Sequence, residues 1–285
     1  MMYFSQILTF ITLSIWQCTP NAQKSNDEPF PAAYSLNDFQ MIVLQDEMEE
    51  ISGLEWVGKG GLLAIEDESP IVYSLDPQTG KILQKEKFGK KNSDIEDISW
   101  INDVAWVLQS DGTLYEVTSV FNEKSESTKY EFPIDKKRDM EAMVISEDGA
   151  SLYVFCKSCK WDDSANEASV FRFDLSSKSY KTPVFTTIKR SDMEALLKAD
   201  ELKDLEIEPA AAAFHPIEKE LYVLSSSGKW LMIADAKFQP KEVYRLNRKI
   251  FKQPEGITFD PKGNMYISNE ARGGKPNILV FSYNP

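Results

Sequence analysis

The chain has 285 residues, enough for one large domain or two ordinary ones with a substantial core. Its 45 Asp and Glu outnumber 32 Lys and Arg, for a net charge of −13. Lys90–Lys91 and Lys136–Arg138 are short basic runs with acids close by, so nucleic acid, whose binding depends on gathered cations, is excluded as a partner.

In chain order, the first predicted element is an export signal. "ILTFITLSIW", residues 7–16, is an apolar run followed by Cys18 and the polar tail "TPNAQKSNDEPFPA". A Cys at that place predicts a bacterial lipoprotein: residues 1–18 form the signal ending at a lipidated Cys18, and 19–32 form a polar linker. An ordinary secretory signal or an uncleaved anchor are the alternatives, because no Lys or Arg precedes the run and Gln17 is unusual before such a cleavage site. The run is shorter than the roughly 20 residues a membrane span needs. The expected location is the bacterial cell envelope, anchored to a membrane on the periplasmic side or at the cell surface.

A strand-like segment, "FQMIVL" at 39–44, comes next and matches no repeat. From residue 50 the chain repeats itself. "EISGLEW" (50–56), "DIEDISW" (94–100), "DMEAMVI" (139–145), "EPAAAAF" (208–214) and "QPEGITF" (253–259) align on their third residues: Ser52, Glu96, Glu141, Ala210 and Glu255. The spacings are 44, 45, 69 and 45. A second apolar run follows each heptad, with Leu63, Trp106, Tyr153, Tyr222 and Tyr266 in one column, and third and fourth strand-like runs follow in turn. Four-stranded units at this period predict an all-β, five-bladed β-propeller over 33–285, with blades starting near 50, 94, 139, 208 and 253. The fifth copy stops after its third strand, and residues 39–44 are positioned to supply the fourth and close the ring.

Three local features need placing. The pair Cys156 and Cys159 in "CKSC" ends a strand-like run, and zinc would require four ligands, so a structural pair or local disulfide is expected. The long spacing of 69 holds an insertion, "SDMEALLKADELKDL", which reads as a helix over about 190–205. It carries a Ser191/Glu194 capping box and an apolar face of Met193, Leu196, Leu197, Leu202 and Leu205 that packs on the rim. The single histidine, His215, sits in "FHPIEK" at the turn position of "FDPKGN" and reads as a turn residue, not a general base.

In a propeller the first strand of each blade lines the axis, so residues at one repeat position converge. Glu96, Glu141 and Glu255 are expected near the channel mouth, where three unpaired carboxylates would repel one another. A hard cation such as Ca²⁺, which takes six to eight oxygens, would relieve that repulsion. The alternative is that these glutamates bond backbone amides or pair with Lys or Arg. The outer acids Glu50, Asp94, Asp139 and Glu208 are either solvated or compete as the true site.

The phrases "EISGL" at 50–54, "DIEDI" at 94–98, "DMEAM" at 139–143 and "QPEGI" at 253–257, with "GNMYISNE" continuing the last, resemble the SdiA-regulated, YjiK-like family of exported bacterial proteins. The resemblance spans about 48–285 and implies a five-bladed propeller with a shared calcium site. It implies Glu96, Glu141 and Glu255 as ligands, with Asp67 and Glu270 as a second tier on the channel face; Ala210 leaves the fourth blade only backbone oxygen there. The expected function is a calcium-bearing, membrane-tethered monomer binding a protein, glycan or small molecule across the channel face. The alternative is a calcium-dependent hydrolase of lactonase, esterase or phytase type, in which the ion polarises a carbonyl or phosphoryl oxygen. No G-x-S-x-G elbow or Ser/His/Asp set supports hydrolysis.

Overall fold

The computed structural model describes residues 29–285, apart from 59–60, 91–92, 123–124 and 204. The expected signal, Cys18 and most of the linker lie outside the described residues. Strand β1 (Phe39–Val43) comes first, and four complete antiparallel blades follow. Blade one is β2 (Ile51–Val57), β3 (Gly61–Glu66), β4 (Ser69–Leu75) and β5 (Ile82–Lys87). Blade two is β6 (Ile95–Ile101), β7 (Val104–Gln109), β8 (Leu114–Thr118) and β9 (Glu126–Tyr130). Blade three is β10 (Met140–Ile145), β11 (Ser151–Cys156), β12 (Glu167–Asp174) and β13 (Ser179–Lys189). Blade four follows the one-turn helix α1 (Arg190–Glu194) and runs β14 (Ala211–Phe214), β15 (Leu221–Ser225), β16 (Trp230–Ala234) and β17 (Pro240–Arg245). Blade five has only β18 (Pro254–Phe259), β19 (Met265–Asn269) and β20 (Asn277–Phe281) from its own repeat. Strand β1 completes it, pairing with β20 from Phe39 opposite Phe281 to Val43 opposite Asn277. The propeller and its closure are as the repeat predicts.

Burial explains why the strands read as they do. Each blade packs on neighbours through both faces, so middle strands such as β15 (LYVLS) and β16 (WLMIA) are buried throughout instead of alternating. Outer strands such as β5 (ILQKEK) and β9 (ESTKY) meet solvent and are polar. The core is five clusters, each between adjacent blades: Leu63, Val72 and Ile98 join blades one and two; Trp106, Val154 and Phe171 join two and three; Phe155, Val223 and Trp230 join three and four. Tyr222, Leu231 and Ile267 join four and five, and Ile42, Tyr266 and Tyr73 close five onto one. Each residue of the predicted aromatic column thus packs at the boundary with the next blade.

The helical insertion over 190–205 is corrected. Only Arg190–Glu194 is helical; its N-cap is Lys189, without a side-chain cap, and Glu194 accepts from Arg190 Nε at 2.6 Å, leaving the Ser191 capping box unformed. Beyond it the chain proceeds by turns, such as Leu196 N–H to Met193 O at 3.0 Å. Met193 and Leu205 are buried against blades three and four, whereas Leu196 is exposed. The apolar residues act as separate anchors of a loop, and rim packing holds while the continuous helix does not.

The inner strands approach each other closely, which accounts for two motif glycines. A Cβ on Gly53 would lie 2.7 Å from Asp97 Oδ1, and one on Gly256 would lie 2.6 Å from Ser52 O. Asp97, 3% exposed, ties blade two to blade three: its Oδ1 accepts from Ile98 N–H at 2.8 Å and its Oδ2 from Met143 N–H at 2.7 Å. Asp97→Ala strands these buried amides and is expected to lower the unfolding free energy by about 1–3 kcal/mol. Urea denaturation reads this directly; an unchanged midpoint would show that the bridge contributes nothing.

Candidate metal centre

Backbone register aims the glutamates. Met140 faces Cys156 and Ala142 faces Phe155, so Glu141 has no opposite residue. Glu96 is skipped between the Ile95–Gln109 and Asp97–Leu108 pairs, and Glu255 between Pro254–Asn269 and Gly256–Ser268. Such an extra residue is a β-bulge, which bends the strand and redirects a side chain. Here all three turn toward an axial funnel of about 540 Å³. Ser52 and Ala210, from the other two blades, line it as well.

The funnel is walled by nine carboxylates, and Lys157 and Arg272 are its only cationic side chains among the described residues. Two triplets stand out. Oxygens of Asp67, Asp94 and Glu96 all lie within 4.8 Å of one another, and so do those of Glu96, Asp139 and Glu141. Glu96 therefore belongs to both. Glu255 lines the same funnel but joins neither triplet; Ser226 and Gln253 are its hydrogen-bond partners, and the charges of Lys157 and Lys229 act on it. Glu270 is also in the wall, 3.5 Å from Arg272 Nε. Asp94 and Asp139 complete the triplets from the first heptad position, where the sequence carried the signal; Glu208 is absent from the wall and accepts from the Ser227 hydroxyl instead.

Desolvation and mutual repulsion set the electrostatics. Burial, followed by the charges of Glu141, Asp67, Asp94 and Asp139, pushes Glu96 up to about 11. Burial raises Glu141 to about 8 although Lys157 pulls it the other way. Asp67 rises to about 7 through burial and its contact with Asp94, and Glu270 to about 7 through burial and Glu255. Asp67 Oδ1 is buried with no donor reaching it among the described residues. A buried oxygen without a donor, beside converging carboxylates, fits a hard cation.

Lys157 was not legible as part of the site. The residue just after the second strand is Asp67, Ser110, Lys157, Ser226 and Glu270 in blades one to five, so blade three alone puts a cation there. Its ammonium is ion-paired with Glu141. Burial opposes the charged amine, but Glu141 and Asp139 more than compensate and raise its pKa. Its backbone N–H is fixed to Asp139 O at 2.8 Å, and the expected Cys156–Cys159 disulfide closes the turn around it. His215 lies elsewhere: fully buried, its Nδ1 accepts from Ile217 and Glu218 N–H at 3.3 and 2.9 Å, as Asp260 Oδ1 accepts from Lys262 and Asn264 in the matching turn.

A five-bladed propeller with a carboxylate-lined axial funnel defines the class of protein. Residues 32–280 match the SdiA-regulated family, and the chain belongs to it. Comparison with curated proteins gives no match. Among solved structures, glutaminyl cyclase from Myxococcus xanthus is similar with a TM-score of 0.55 at 10% identity, over 86% of this chain and 94% of that one. A structural-genomics protein of unknown function from Bacteroides thetaiotaomicron has a TM-score of 0.50 at 14% identity, over 82% of this chain but only 55% of its own. Virginiamycin B lyase from Staphylococcus aureus has a TM-score of 0.48 at 12% identity, over 87% and 88%. At these identities the likeness extends to the fold alone.

Proposed function

We propose that this protein is an exported, membrane-anchored propeller that binds calcium in its axial funnel and uses that face as a binding module for a protein, glycan or small-molecule ligand. The observation that supports it is the pair of carboxylate triplets sharing Glu96, with the donorless Asp67 Oδ1 among them. The donors are oxygens, with no thiolate or imidazole in the wall among the described residues, which suits Ca²⁺ over a softer ion. Asp67, Asp94, Glu96, Asp139 and Glu141 would hold the ion; Glu255 and Glu270 line the same funnel outside both triplets and would be available to a larger ligand. Bound calcium would offset part of the funnel's negative charge and offer a Lewis-acidic centre. The anchor rests on Cys18 behind its apolar run, outside the described residues.

The test is a calcium titration by calorimetry of the protein and of the Glu141→Gln/Glu255→Gln double variant. Saturable binding that the double variant weakens at least tenfold is expected; no heat with the wild type removes the centre. Calcium-dependent turnover of lactones, aryl esters or phytate, lost in the same variant, would replace the binding role with the hydrolase. Labelled palmitate should enter the wild type but not Cys18→Ala, and equal labelling would place the anchor elsewhere.

A further inference from the structure

The inner strands carry a second convergence. Three residues beyond Ser52, Glu96, Glu141, Ala210 and Glu255 come Glu55, Ser99, Val144, Ala213 and Thr258, roughly 10 Å further along strands that rise about 3.3 Å per residue. Glu55, Ser99, Val144, Ala213 and Thr258 line a separate cavity of about 160 Å³, and Trp56, Phe214 and Phe259 add aromatic walls. We propose that this cavity binds a small organic ammonium group, with Glu55 as its counter-ion.

Glu55 is the one acidic or basic side chain in this wall among the described residues. Among the described residues no Lys or Arg lines the cavity, so Glu55 has no cationic partner there. Its donors are the Thr258 hydroxyl and Trp100 N–H, the latter at a long 3.4 Å. Burial raises its pKa to about 8. The acid beside it, Asp97, already spends both oxygens on backbone amides. Near neutral pH burial keeps a proton on Glu55, and a ligand that supplies a positive charge lets the carboxylate ionise with a partner in place.

The remaining wall selects the class of cation. Glu55, Ser99 and Thr258 offer too few oxygens for calcium, which takes six to eight. An anion would be repelled as Glu55 ionises, and an uncharged apolar molecule would leave its carboxyl without a polar partner. A compact ammonium satisfies Glu55 with one charge, can donate to the hydroxyls, and enters a wall with three aromatic side chains. The cavity has less than a third of the funnel's volume, which restricts the group to a few heavy atoms. This inference stands whether or not the funnel takes calcium.

Methylammonium and ethanolamine chlorides, against sodium chloride at equal ionic strength, provide the probes. Titrated into the described protein with calcium absent and with calcium present, they should raise the melting temperature and give saturable heat in both conditions. Glu55→Gln should weaken binding at least tenfold while leaving the calcium response intact. Ala213→Leu, which fills the cavity without altering Glu55, should do the same and serves if Glu55→Gln misfolds. Absence of binding to the wild type, or undiminished binding to a folded variant, would overturn the proposal.

Discussion

Glu96→Gln is expected to invert the order of stability between calcium-free and calcium-loaded protein. Glu96 is the carboxylate common to both triplets, and its neighbours Glu141, Asp67, Asp94 and Asp139 all disfavour its charge. Without calcium, folding must put a proton on Glu96, whose pKa rises from the ordinary carboxylate range to about 11, whereas the amide is neutral in both states and avoids that cost, so the variant should melt above the wild type. With calcium at a hundredfold excess over its dissociation constant, the wild type gains about 2.7 kcal/mol, because the ion binds only the folded state. For a domain of this size that corresponds to roughly 5–10 °C. The variant has lost the shared ligand and should gain little, so the wild type should then melt higher. Differential scanning calorimetry with EGTA or calcium checks both halves. A variant with the full calcium shift would move the ion away from Glu96, and one that melts below the wild type in EGTA would remove the repulsion argument.

The calcium-free protein should also become less stable as pH rises from about 5 to 8. The sign follows from the raised carboxyls: Asp67 and Glu270 near 7 and Glu141 near 8 in the folded chain, against about 4 in the unfolded one. Between those values the folded state holds more protons than the unfolded state, so each step up in pH favours unfolding. Below about pH 4 both states are protonated and the stabilisation is fully present; above about 8 these three groups are ionised in both. Calcium competes with the same protons, so it should flatten the slope and stabilise more at pH 8 than at pH 5. Urea unfolding at four pH values, with EGTA and with calcium, measures this. Stability that climbs between pH 5 and 8 in EGTA would show that the acids are satisfied by contacts rather than strained.

The ring was legible because its signal is periodic: five heptads, an aromatic column and a missing last strand together leave little freedom of topology. Convergence of Glu96 and Glu141 followed from that circularity. The bulges were not legible, since a one-residue slip against β7, β11 or β19 depends on pairing partners that heptads do not name. That oxygens of Asp94 and Asp139, rather than of Glu255, lie within 4.8 Å of those of Glu96 was not legible either, because the heptads give position along the chain and not distance across the funnel. Lys157 was not legible because it lies outside the heptads, and its role comes from standing where blades one and five carry Asp67 and Glu270. The helix failed differently. Apolar residues at three- and four-residue spacing also suit a loop that drops Met193 and Leu205 into one cleft, and the pattern alone does not separate the two.

Strand β1 is the outermost of blade five, and Phe30, just ahead of it, packs beside Tyr244 and Phe281 at the same margin. The described chain therefore begins at the circumference of the disc, away from the residues that wall the axial funnel. The same arrangement delays ring closure in the order of synthesis: β1 has no partner until β20 has been made.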